Sequence, residues 1–179
     1  MRTANPPAIR HEVRWPSGPD EELPILPGFI LSSFSPLAAA VADNCLSEYF
    51  AQPAVSAASR QRTGVLLVSR SSDLASAEHV SRTVAAGRRL GPLFFFQSAP
   101  NSVVGQITAH WGLGGPVVCL SPVGNPLADG MAEAELMLED GDADAVLLIL
   151  LEQGSGNPSE RGDSGDRAHA LLLAKGETS

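Results

Sequence analysis

The 179 residues carry 44% apolar and 18% charged side chains, enough for one domain with a real core or for half of a larger fold. The net charge of −8, with no basic stripe interleaved with aromatics, argues against nucleic-acid binding. The longest unbroken apolar run, AVLLILL at 145–151, is far too short to span a bilayer.

Residues 1–24 are rich in proline, glycine and charge and contain no apolar signal core. They read as a flexible arm, and the chain as a cytoplasmic protein with reduced thiols at Cys45 and Cys119. ILPGFILSSFS (25–35) suggests a first strand, and PLAAAVADNCLSEYF (36–50) a helix that buries Cys45. GVLLVS (64–69) is a short apolar run between polar turns, hence a buried strand. A helix follows, with Ser72 as its expected N-cap and Gly91 as its end. An apolar stub at 92–97, a turn at SAPN and a short helix over 101–111 lead to a glycine-rich exit.

VVCLS (117–121) is the next strand. Asn125 then caps a helix with Pro126 at its first position, and Leu127, Met131, Ala134 and Leu138 form one stripe. Gly141 fits the position just past its end. AVLLILLE (145–152), apolar on both faces, belongs at the centre of a sheet. A flexible loop over 153–167 precedes the last strand, AHALLLAK (168–175). Strands alternating with helices give an α/β class, a mixed sheet covered by helices. Half of the 12 basic residues fall between Arg60 and Arg89, whereas 12 acidic residues against three basic ones lie between Asp129 and Glu177. The basic cluster is either an ordinary solvated face or a patch for an acidic carrier or partner. No cysteine or histidine spacing suggests a metal, and no cofactor motif is present.

Three segments in order carry a resemblance. PNSVVGQITAHWGLGGP (100–116), GDADAVLLI (141–149) and AHALLLA (168–174) resemble the β-ketoacyl synthases, over roughly residues 60–175 with weaker support from 25–50. The resemblance implies the N-terminal half of a thiolase-like fold, over residues 25–176. In the family pattern the nucleophilic cysteine stands eight residues after the proline of Gly-Pro and 17 before the glycine of Gly-Asp-Ala-Asp. Counted from Pro116 and from Gly141, both arrive at Gly124, which has no side-chain nucleophile. Cys119 lies five residues too early, inside a strand, where a buried packing role is expected. His11, His79, His110 and His169 match no catalytic position, and the histidine-bearing half of the family fold would begin where this chain stops, at Ser179.

The family's 3-oxoacyl-ACP synthase activity is therefore not expected of this chain alone. The resemblance implies instead a chain-length-factor type of subunit, non-catalytic and paired as a heterodimer with a full-length β-ketoacyl synthase. Acyl carrier protein would be engaged indirectly. In such partners the strand before the nucleophile position lies at the dimer interface, which here involves Val117, Val118 and Cys119. Phe94, Phe95, Phe96, Gln97, Val103 and Gln106 are the candidates for the interface or the far end of an acyl tunnel, although plain packing also accounts for the three phenylalanines. A stabilising scaffold or degenerate remnant is the alternative, and a stand-alone acyltransferase using Cys119 a further one.

Overall fold

The computed structural model describes residues 6–18, 21–53, 55–154 and 165–176. They form one mixed five-stranded sheet, in spatial order β1-β5-β4-β2-β3, with helices on both faces. The strands are β1 (Ala8–Trp15), β2 (Thr63–Val68), β3 (Val117–Leu120), β4 (Ala145–Glu152) and β5 (Arg167–Ala174). The helices are α1 (Phe34–Phe50), α2 (Ala57–Gln61), α3 (Leu74–Ala85), α4 (Pro92–Gln97), α5 (Pro100–Trp111) and α6 (Pro126–Glu139). β2 runs parallel to β3 and β4, while β5 is antiparallel to both β4 and β1.

β2 and β4 are paired on both edges and covered on both faces, which is why their sequences are apolar without alternation. One face of β2, carrying Val65 and Leu67, packs with Leu147, Ile149 and Leu172 against α1 and α5. The other, carrying Leu66 and Val68, packs with Leu148 and Leu171 against α6. Gly130 lets α6 lie this close: a Cβ there would stand 2.8 Å from Leu148 Cδ1 and 3.2 Å from Val68 Cγ2. Cys45 is fully buried in the α1 face, and burial pushes its thiol up to about 12.

Two expectations at the N-terminus are corrected. Residues 8–15, placed in a flexible arm, form edge strand β1 along the whole of β5. AIRHEVRW alternates: Val13 and Trp15 pack against the α1-face core, while Arg10, Glu12 and Arg14 are exposed. Charges on an edge strand protect its open side. Residues 25–33 form no strand, because Pro27-Gly28 makes a turn with Gly28 at φ +88°, and the chain then enters α1 at Phe34.

The helix after β2 is capped by Asp73, not Ser72. Asp73 Oδ1 accepts from Ser76 N at 3.0 Å, and Ser72 itself takes φ +51°. That helix ends at Ala85, with Gly87 at φ +65° in the turn, and the apolar stub is the short helix α4. α6 follows expectation, with Asn125 accepting from Ala128 N, Pro126 in its first turn and Gly141 at φ +79° after its end. Of its expected stripe, Ala134 and Leu138 are buried, Met131 is half-buried and Leu127 is exposed. The expected flexible loop over 153–167 lies mostly outside the described residues.

Candidate functional site

β3 and the turn after it carry the positions singled out from sequence. β3 is the short outer strand on its side of the sheet and pairs only with β2 among the described residues. Val118 and Leu120 pack partly against the α6-side core, in register with Leu66 and Val68. Val117 and Cys119 point to the opposite face, and Val117 remains 45% exposed. The open edge of β3 thus carries only apolar side chains and a cysteine, whereas the edge of β1 carries two arginines and a glutamate. Edge strands that must stay unpaired are normally blunted by charge, as β1 is and β3 is not.

Cys119 is exposed, not buried as expected. Its Sγ is only partly covered. It opens on a cavity of about 220 Å³ shared with Phe34, Ser69, Ser72, Pro100 and Ser121. Partial burial pushes the thiol up from its ordinary value, and no histidine lines the cavity to take its proton. The histidines are engaged elsewhere. His11 meets Glu48, His79 lies against Phe94, His110 against Trp111, and His169 against Glu12. A thiol shifted toward its neutral form, with no base beside it, is a poor nucleophile.

Gly124 sits in the turn between β3 and α6, immediately before the N-cap Asn125. Its surroundings are built around a carboxylate that sequence reading did not single out. Asp129, in the first turn of α6, accepts from Val123 N and from Gly124 N, both at 2.9 Å. Arg70, just past β2, donates from Nη2 to the Gly124 carbonyl at 2.6 Å, while its backbone N–H donates to Glu152. A Cβ at position 124 would lie 3.4 Å from Asp129 Oδ1 and 3.8 Å from Oδ2. The amides that a helix-start turn could offer to an anion are thus occupied by a carboxylate of the chain itself. The sequence signal for Asp129 was an acid in the first turn of a helix; nothing in the sequence pointed to Arg70.

The tunnel and interface candidates separate into three groups. Phe96 and Gln106 line an open groove of about 330 Å³ together with Phe29, Asn101, Ser102 and Gly105. Phe29 lies tilted against Phe96, with ring centroids 6.4 Å apart. Phe29 came from the segment expected as a strand, and Gly105 was read only as part of a motif. Gln97 and Val103 are buried. Val103 belongs to the α1-face core, and Gln97 Oε1 accepts from Ile30 N at 3.4 Å. Phe94 packs on His79 and Phe95 is exposed, so neither reaches the groove.

A larger groove, about 740 Å³, lies at the ends of β4 and β5, between Arg14, Trp15, Gln153, Arg167 and His169. There Glu12 accepts from Arg14 at 2.7 Å and meets His169 Nε2 at 2.8 Å. Arg14 holds the Glu12 carboxyl below its ordinary value. Burial, reinforced by Arg14, lowers His169. No group of three or more metal-ligating side chains occurs among the described residues, and no helix among them is long and apolar enough to cross a membrane.

The fold is shared with ketosynthases. A chain of the structure described as the ketosynthase ApeO in complex with its chain length factor ApeC, from Xenorhabdus doucetiae, matches with TM-score 0.71 and 22% identity, covering 96% of this chain and 80% of that one. The ishigamide ketosynthase/chain length factor matches with TM-score 0.71 and 17% identity, over 90% of this chain and 49% of that one. A β-ketoacyl synthase from Burkholderia phymatum matches with TM-score 0.69 and 15% identity, over 88% and 47%. This chain therefore spans about half the length of the latter two and most of the first. No protein of curated function matches the sequence. The family model for the β-ketoacyl synthase N-terminal domain matches residues 15–177, and the chain belongs to that family.

Proposed function

We propose that this chain is a non-catalytic subunit of the chain-length-factor type. It pairs with an active β-ketoacyl synthase in polyketide or related acyl-chain synthesis, and it helps to shape the acyl tunnel. The observation that carries the reading is the turn at Gly124. The position where the family keeps its nucleophile holds no side chain, and the surrounding amides are tied to Asp129. Such a turn cannot load an acyl group as a thioester, and a carboxylate at that distance opposes any thiolate placed there.

The pairing part of the reading rests on the uncharged edge of β3. In the family arrangement this strand adds to its counterpart across the dimer axis, forming backbone hydrogen bonds along an otherwise open edge. The tunnel part rests on the groove at Phe96 and Gln106, next to α5. That 80% of one chain in a ketosynthase–chain length factor complex is covered by this short chain supports the reading, since full-length relatives are covered by only about half.

The test is co-expression with a full-length β-ketoacyl synthase of the same organism, followed by reconstitution with acyl carrier protein. The reading expects a stoichiometric complex whose elongation activity needs both chains. A chain that neither co-purifies with that synthase nor changes its products would overturn it.

A further inference from the structure

The helical hairpin α3–α4, residues 74–97, lies in the connection between β2 and β3 and contributes nothing to either core. Its buried residues are only Ser76, Thr83 and Gln97, all polar. Three of its apolar side chains face outward: Val84, Leu93 and Phe95 are 60%, 54% and 72% exposed. A helix pair that folds against its own domain normally turns such residues inward.

Charge sets the hairpin apart as well. In a chain of net charge −8, this segment carries Arg82, Arg88 and Arg89 against Glu78 as its one acidic residue. Arg82 and Glu78 lie 3.5 Å apart, an exposed contact worth little by itself. Arg88 and Arg89 stand exposed in the turn between the two helices. Exposed apolar side chains and exposed arginines on one segment are the residue types found at the centre and rim of protein–protein contacts.

We propose that this hairpin is a docking arm for the partner synthase, gripping an apolar patch that is ringed by acidic residues. The inference rests on the pairing reading above and adds to it a second contact and the chemistry of its counterpart. Area requires such a contact. β3 offers four residues, and edge pairing over that length falls far short of the roughly 800 Å² per partner that a stable interface buries. The hairpin is rooted beside that edge: Ser72, two residues before α3, lines the same cavity as Cys119 of β3. A second copy of this chain is a poorer occupant, because it would offer the same arginines to one another wherever like hairpins meet.

The experiment measures binding of the full chain to the full-length β-ketoacyl synthase with which it co-purifies, at low and at moderate salt. Amide hydrogen exchange is recorded on the wild-type complex. The expected result is that Phe95→Asp, and separately the triple change Arg82→Glu, Arg88→Glu and Arg89→Glu, each weaken binding at least about tenfold. The triple lysine variant should stay within about threefold, since charge is retained. Wild-type amides over 74–97 should gain protection on complex formation, a readout that needs no substitution.

Three results overturn the assignment. One is wild-type affinity in both variants with unchanged circular dichroism. Another is protection confined to β3. The third is hairpin protection produced by acyl carrier protein, by anionic vesicles or by self-association in the absence of the synthase. If Val117→Asp, at the exposed position of β3, abolishes binding while the hairpin variants retain it, the pairing reading stands and the docking arm alone falls. If the wild-type chain binds no synthase, both fall together.

Discussion

Gly124→Cys puts a thiol at the position that motif spacing assigns to the family's nucleophile, and the neighbouring Asp129 should slow its reactions. Its Cβ would stand 3.4 Å from one Asp129 oxygen and 3.8 Å from the other, so Sγ would fall roughly 4–5 Å from the carboxylate. Two like charges at that separation repel by about 3–4 kcal/mol at an effective dielectric constant near 20. The turn is exposed, so solvent screening leaves on the order of 1–1.5 kcal/mol, or about one pKa unit above the usual ~8.5. Near neutral pH the thiolate fraction then drops about tenfold. Changing Asp129→Asn as well removes the charge and leaves the N-terminal end of α6 to favour an anion.

The assay is the pH dependence of iodoacetamide alkylation in a Cys119→Ser background, with the buried Cys45 as an internal slow reference. The single variant should alkylate about tenfold more slowly than an ordinary exposed cysteine. Adding Asp129→Asn should raise the rate by about tenfold or more. A Gly124→Cys thiol that titrates below the ordinary cysteine range, with Asp129 intact, would refute the electrostatic argument.

Gly130→Ala should destabilise the chain by about 1–3 kcal/mol, because its methyl would meet Leu148 at 2.8 Å and push α6 off the sheet; thermal unfolding checks it. Phe96→Ala or Gln106→Ala should lengthen the product of a reconstituted pair, and bulk at Gly105, where a Cβ has open space, should shorten it, as read by product mass. Val117→Asp, at the exposed position of the edge strand, should abolish complex formation with the synthase in a pull-down. His169 has a folded-state pKa lowered below its usual 6.5, so its contribution is present above that value and is lost as pH falls through the lowered pKa. His169→Gln, which can still donate to Glu12, should therefore flatten the decline in thermal stability as pH falls below the usual histidine value of about 6.5.

The elements that bury both faces were legible in the sequence. β4 and β2 read as apolar runs, and α6 as Asn125, Pro126 and Gly141 placed where a helix begins and ends. β1 was not, because its alternation is carried by His11, Val13 and Trp15 among arginines and a glutamate, and charge density looks like solvent exposure until β5 is known to lie alongside. Gly124 could be singled out by counting from two motifs, but the hydrogen bonds that Asp129 and Arg70 make to its turn are a matter of three dimensions. The groove candidates show the same limit. Phe96 and Gln106 converge with Phe29 from a distant segment, while Val103, on the same helix as Gln106, turns into the core. Helical phase relative to the sheet decides which of them is open, and the local sequence does not state it.

The most direct test of a non-catalytic partner is intact-mass measurement of both chains in the reconstituted complex after loading with acyl carrier thioester. The account predicts the acyl mass on the synthase, none on this chain, and elongation that stops when this chain is omitted. Stoichiometric acylation of this chain at Cys119, with turnover in the absence of any synthase, would contradict it.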